Sequence, residues 1–165
     1  MNTWYTADTH FFHANIIRHC HRPFASVGEM NATLIERWNE RVAPGDIVYV
    51  LGDFAWGVGR KRLEDLVTIL KGRKRIVPGN HDRKIARMLR GGFIDVSESL
   101  VISKDIVLCH YPLASWPRMR HGTLMLHGHC HGTLPPRDRR VDVGVDAWDF
   151  RPVSLDEIEN KENAW

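Results

Sequence analysis

Two rhythms of apolar residues organise this chain. After Ser26-Val27-Gly28-Glu29, which has the S-x-x-E form of a capping box, Met30, Leu34, Ile35 and Trp38 recur at helical spacing as far as Pro44-Gly45. Leu63, Leu66, Val67 and Leu70 repeat the rhythm over residues 61–70, and Gly72 ends it. Short apolar runs at residues 2–8, 46–51 and 75–78 read as strands around these helices. A further helix is expected after Gly79-Asn80-His81-Asp82, running to about Arg90. Beyond Gly91-Gly92 the pattern changes to strands at 93–96, 100–103, 105–109, 124–126 and 141–145, with a last short helix capped by Ser154. Alternating strands and helices followed by strands predict an α/β layered fold. No repeat, low-complexity segment or linker interrupts residues 1–165, so a single domain is expected.

The polar residues that break this pattern sit where strands end: Asp8 and His10, Asp53, and Asn80 with His81. In open α/β sheets the ligand crevice lies beyond the carboxyl ends of the strands. If the chain is still extended at Asp8-Thr9-His10, the carboxylate and the imidazole point the same way, as two ligands of one metal would. Gly128-His129-Cys130-His131 repeats that geometry with two imidazoles. Singly, each feature has a plain structural explanation, such as a turn residue or a hydrogen-bonded core histidine. Six such patterns at successive strand ends point to a site.

Composition narrows the chemistry. A 43% hydrophobic chain with 26% charged residues and a net charge of only +3 is not intrinsically disordered. Its longest apolar run, residues 47–51, is far short of the roughly 18 residues of a membrane helix. Met1 leads directly into a strand, without the basic and apolar regions of a secretory signal. Three cysteines at unrelated spacings argue for reduced thiols and a cytoplasmic setting, and without C-x₂-C spacing a Cys-based zinc site is not expected. Ten histidines in 165 residues direct attention to metal or acid–base chemistry.

Asp8-x-His10, Gly52-Asp53, Gly79-Asn80-His81-Asp82, His110 and Gly128-His129-x-His131 match, in content and order, the motifs of the calcineurin-like metallophosphoesterases, and the chain resembles a small, cap-free member of that superfamily. The resemblance implies a sandwich of two mixed β-sheets flanked by helices, with a dinuclear metal site at the strand carboxyl ends. It implies Asp8, His10 and His131 as ligands of one ion, Asn80, His110 and His129 as ligands of the other, and Asp53 as the bridge. Mixed N/O donors without thiolate suit Mn²⁺, the leading expectation, and also Fe, Zn²⁺ or Ni²⁺. Two such ions can lower the pKa of a shared hydroxide and polarise a phosphoryl oxygen for in-line attack. His81 then looks like the general acid. Asp82 either orients that imidazole or supplies charge at a helix N-terminus. Where many members carry Gly-Asn soon after D-x-H, this chain has Phe11-Phe12-His13-Ala14-Asn15.

Charge is uneven. Residues 60–90 and 117–140 carry 16 Lys/Arg and four acids, a net +12, which leaves −9 for the remainder (3 − 12). A cationic rim there would attract phosphate esters, nucleic acid among them. The plainer alternative is a set of solvated helix and turn faces. Substrate contacts are expected from His13, Trp116 and Arg118, although Trp116 between two prolines also reads as loop packing, and Trp56 is equally two-sided. The function expected is phosphate-ester hydrolysis with phosphodiesters preferred. A phosphomonoesterase or protein phosphatase, or a non-catalytic metal or nucleic-acid binding module on the same fold, are the alternatives. The sequence leaves the oligomeric state open.

Overall fold

A computed structural model describes residues 1–82, 95–96, 100–102, 104–135 and 139–162. The first sheet is built on β1 (Thr3–Thr6), β2 (Ile47–Val50), β3 (Arg73–Ile76) and β4 (Asp95–Val96), which pair in parallel. A two-residue strand, β9 (Val153–Ser154), adds antiparallel to β1 and gives the order β4-β3-β2-β1-β9. The second sheet has the order β5-β6-β7-β8, from Leu100–Ile102, Ile106–Cys109, Leu124–His127 and Arg140–Asp142. β5 is antiparallel to β6, and the other pairs are parallel. The protein is therefore an α/β fold of two mixed sheets flanked by helices.

Three of the described helices form where the sequence pattern places them, and a fourth, over Ala14–His19, falls where the pattern predicts none. α1 spans Ala14–His19, α2 Val27–Arg41, α3 Arg60–Ile69 and α4 Leu155–Glu162. Ser26 Oγ accepts the Glu29 amide at 3.1 Å, while Glu29 reaches back to the Ala25 amide at 2.7 Å. Met30, Leu34 and Trp38 of α2 and Leu63, Leu66 and Val67 of α3 are buried against Trp4, Val48, Val50 and Ile76. Alternate residues face the other way: Tyr5, Leu51 and Val77 pack on Leu108, Leu124, Leu126 and Val143 between the sheets. Period-2 alternation thus gives β1 one residue for each layer.

Three expectations shift. β3 begins at Arg73, two residues before the run that reads as a strand, because Lys74 is buried with its ammonium on the Leu70 carbonyl. β9 carries no apolar period of its own and exists as an edge partner of β1. Val145 lies in a 3₁₀ turn rather than a strand. The helix expected to run to about Arg90 lies outside the described residues. Among the described residues no helix is long and apolar enough to cross a membrane.

Candidate metal centre

The ends of β1, β2, β3, β6 and β7 meet at one place, and the residues just beyond them turn inward. They do not do so by extended alternation. Asp8, His10, Asp53, His129 and His131 all have left-handed backbone, with φ of 55°, 48°, 53°, 71° and 49°. Non-glycine residues seldom adopt this region, and where they do the surrounding structure must over-determine it. Here the backbone is pinned: the Asp8 amide donates to the Gly52 carbonyl at 3.0 Å and the His10 amide to the Asp53 carbonyl at 2.9 Å. Convergence of Asp8 with His10 thus follows from two kinks, not from a strand continuing through them.

Asp53 lies at the centre. Its Oδ2 is 3.5 Å from His10 Nε2, 3.7 Å from His110 Nε2 and 3.8 Å from His81 Nε2, while Oδ1 accepts the His81 amide at 3.0 Å. Asn80 Oδ1 is 2.9 Å and His129 Nδ1 3.2 Å from His110 Nε2. The ligand atoms of Asp8, His10 and His131 lie within 4.8 Å of one another, as do those of Asp8, Asp53 and His110. All eight residues singled out in the motifs, His81 included, therefore gather in one cluster. A β-carbon on Gly52 would strike the His110 ring, and one on Gly79 or Gly128 the Asp53 or Asp8 carboxylate. Only a hydrogen fits at those positions.

The donor set fits metal ions. Asp8 Oδ1 and His10 Nε2 are buried without a hydrogen-bond partner, a costly state for groups aimed at nothing. Burial, followed by the neighbouring His131 and Arg22 side chains, pushes His10 down to about 2, so its ring is neutral and offers a lone pair. Burial, then Asp142 and Asp53, raises Asp8 well above the usual carboxylate range, as expected of crowded, desolvated acids. The His110 Nδ1–H donates to the Leu51 carbonyl at 2.8 Å, which leaves Nε2 as the acceptor turned to Asp53.

Other sequence-predicted residues divide. His13 joins the cluster: its Nδ1 is 3.2 Å from His10 Nδ1 and its ring stacks on Trp56. Trp116 does not; it is buried on Val107, Cys109 and Met125, with its indole donating to the Thr123 carbonyl, so loop packing replaces substrate contact. Arg118 is exposed, and among the described residues its carbonyl closes the turn to His121 and Thr123. Asp82 is buried and does not orient His81. Its carboxylate accepts the amides of Asp53 at 2.6 Å, Gly79 at 2.8 Å and Phe54 at 3.0 Å, because the loops after β2 and β3 leave three amides without strand partners.

Asp146 and Arg22 carry no motif and were not legible as site residues. Asp146 Oδ2 accepts His131 Nδ1 at 2.7 Å, and Arg22 holds both Asp146 oxygens at 2.8 Å. Cys20 also approaches His131 and Asp146 within 4.8 Å. Burial pushes its thiol up to about 11, so it is protonated and a poor ligand near neutrality.

Comparison with known proteins agrees with this arrangement. Residues 1–160 match the family model of the calcineurin-like phosphoesterases. The chain belongs to the calcineurin-like phosphoesterase family. Among its relatives, an uncharacterised protein of Methanocaldococcus jannaschii is 36% identical, with 92% of this chain and 86% of the relative aligned. The gene 66 protein of Mycobacterium phage D29 is 29% identical over 98% of this chain and 96% of that protein. A crystal structure of an Aquifex aeolicus protein of unknown function superposes with a TM-score of 0.73 at 26% identity, covering 96% and 98% of the two chains. The nuclease MPE of Pseudomonas putida shares the fold, with a TM-score of 0.53 at 22% identity over 78% of this chain and 61% of its own. As a calcineurin-like phosphoesterase the chain is a metal-dependent phosphoric ester hydrolase, and the family typically binds two divalent metals.

Proposed function

We propose that the chain hydrolyses phosphodiesters in preference to monoesters, with Mn²⁺ as its working metal. The observation that carries this is the convergence of His10, His110 and His81 on one Asp53 oxygen, with His81 half-exposed beside it. Asp8, His10 and His131 would hold one ion, Asn80, His110 and His129 the other, with Asp53 shared. Bound there, the ions would supply an activated water nucleophile and offset charge on the phosphoryl oxygens. Mixed oxygen and imidazole donors favour Mn²⁺ and also accept Fe, Zn²⁺ or Ni²⁺.

The remaining work belongs to the chain. His81, fixed through its amide on Asp53 Oδ1, would protonate the leaving oxygen from Nε2. Cleavage of an alkyl ester expels a poorly stabilised alkoxide, so an acid beside the scissile bond contributes most with such leaving groups, the sugar hydroxyls of nucleic-acid-type diesters among them. Asp82 sets the loop that carries Asn80 and His81. His13 braces His10 from the side away from Asp53. The fold of a nuclease supplies a precedent for a diester substrate on this scaffold.

The test is hydrolysis of bis-p-nitrophenyl phosphate against p-nitrophenyl phosphate with added Mn²⁺, beside an Asp53→Asn control. Faster turnover of the diester, abolished in the control, is expected. On a diester with a poor leaving group, such as thymidylyl-thymidine, His81→Ala should lower the rate about 10²–10⁴-fold while metal content, read by elemental analysis, stays at the wild-type level; unchanged turnover of that ester would overturn the acid assignment. Preference for the monoester would overturn the diester reading, and no turnover with any divalent metal would overturn hydrolysis altogether.

A further inference from the structure

Four large hydrophobic residues are exposed among the described residues, Met1, Trp56, Ile69 and Tyr111, and the two aromatic ones both stand at the metal centre. Trp56 is 42% and Tyr111 44% exposed. They occupy different ends. Trp56 stacks on His13 with centroids 4.8 Å apart and planes at 19°, and meets the His81 ring edge-on at 4.7 Å. Tyr111 meets the His129 ring at 4.9 Å and the His110 ring at 5.0 Å, both edge-on. Asp53 Oδ2 is 3.8 Å from His81 Nε2 of the first group and 3.7 Å from His110 Nε2 of the second.

Each ring is tied to the centre through its neighbours. The Trp56 amide donates to the Phe11 carbonyl at 2.9 Å, and Ala55 bridges Phe11, so the loop after β2 is laced to the loop after β1. Tyr111 directly follows His110, whose ring is anchored on Leu51. Aromatic rings left half in solvent beside a reaction centre offer faces on which planar groups can stack. Neither ring is spent on the core, unlike Trp116.

We infer that Trp56 and Tyr111 are stacking platforms for the two organic groups of a phosphodiester, which makes the preferred substrate a nucleoside diester with a base on each side of the scissile phosphate. A monoester has one organic group and could use only one ring. Aromatic faces accept any base, so the inference predicts tolerance of base identity. Trp56 lies beside His81, the proposed acid, so it takes the leaving-group side, and Tyr111 takes the retained side. The inference rests on the phosphodiesterase reading above and extends it to the substrate class.

The experiment compares kcat/KM for thymidine 5′-p-nitrophenyl phosphate and methyl p-nitrophenyl phosphate, with Mn²⁺. Both esters release the same phenolate, so leaving-group effects cancel in their ratio. Wild type should favour the thymidine ester about tenfold, within the range of one base stack. Tyr111→Ala should collapse that ratio towards one and Tyr111→Phe should restore it. Trp56→Ala should leave the ratio in place while lowering turnover of thymidylyl-thymidine about tenfold, recovered by Trp56→Phe. A readout independent of turnover is binding of thymidine 5′-monophosphate by calorimetry, weakened in Tyr111→Ala while inorganic phosphate binds as in wild type. A ratio unchanged by Tyr111→Ala, or equal loss of nucleotide and phosphate binding, overturns the platforms alone. Failure of wild type to cleave either ester removes the hydrolase reading, and this inference falls with it.

Discussion

His131 shows how much of the centre depends on residues that never touch a ligand. Its Nδ1 is taken by Asp146, and Asp146 is taken in turn by the buried Arg22, which also donates to the Asp8 carbonyl at 2.7 Å and the Thr9 carbonyl at 3.1 Å. Burial alone would raise the Asp146 carboxyl, but His131 and Arg22 outweigh it and hold the group below its usual range. Asp146→Ala should therefore weaken divalent-metal binding about 10–100-fold, measured by competition with a chromophoric chelator. It should also destabilise the fold by about 3–5 kcal/mol, because Arg22 is left buried and unpaired. A metal affinity equal to wild type would refute the positioning role. The residues carrying motifs were readable because short spacings reveal them. Asp146 is 15 residues beyond His131 and Arg22 is 124 residues from Asp146, so only the fold brings them together. The left-handed backbone was equally hidden: D-x-H reads as a strand end until Asp8 and His10 are seen to kink.

Between elements, Asp46 fastens the start of the first sheet. One oxygen accepts the Asn2 amide at 2.7 Å, the other the Trp4 indole at 2.9 Å and the Ala43 amide at 3.0 Å, so β1, the end of α2 and β2 share one carboxylate. The Asn2 amide first, then the Trp4 indole and Ala43 amide, pull its carboxyl down to about 2. A depressed folded-state pKa contributes stability that is fully present above the unfolded value, roughly 4, and fades as pH falls through the folded one. Asp46→Asn should thus lower the urea midpoint at pH 7, with the gap to wild type closing between about pH 4 and 2. A gap independent of pH would mean that the charge is not what fastens these elements. Helices α2 and α3 were legible almost to the residue because their buried faces repeat at 3.6. β3 was displaced because Arg73 and Lys74 hide a strand whose pairing, not its composition, defines it. β9 was invisible for the same reason.

Across the whole molecule, the cluster joins the two sheets at their ends: Asp8, Asp53 and Asn80 follow strands of the first, His110 and His129 strands of the second. Ions bound there would cross-link layers otherwise held by apolar packing. A single ion at one hundred times its Kd adds about 2.7 kcal/mol, so chelation should lower Tm by roughly 5–10 °C for a chain of this size. Calorimetry with and without EDTA checks this, and an unchanged Tm would show that the native state does not bind metal under those conditions. Part of the first basic stretch is a solvated helix face, where Arg60 pairs with Glu64 and Lys61 with Asp65 one turn on and Arg62 lies over Phe12, whereas Lys74 is buried on the Leu70 carbonyl. The placement of β9 beside β1 has a consequence for the protein's birth. β1 acquires its second neighbour only when residues 153–154 have been synthesised. At roughly 5–20 residues per second, β1 waits about 8–30 s on the ribosome with an open edge. The centre at its tip likewise stays incomplete until His131 and its partner Asp146 have been made.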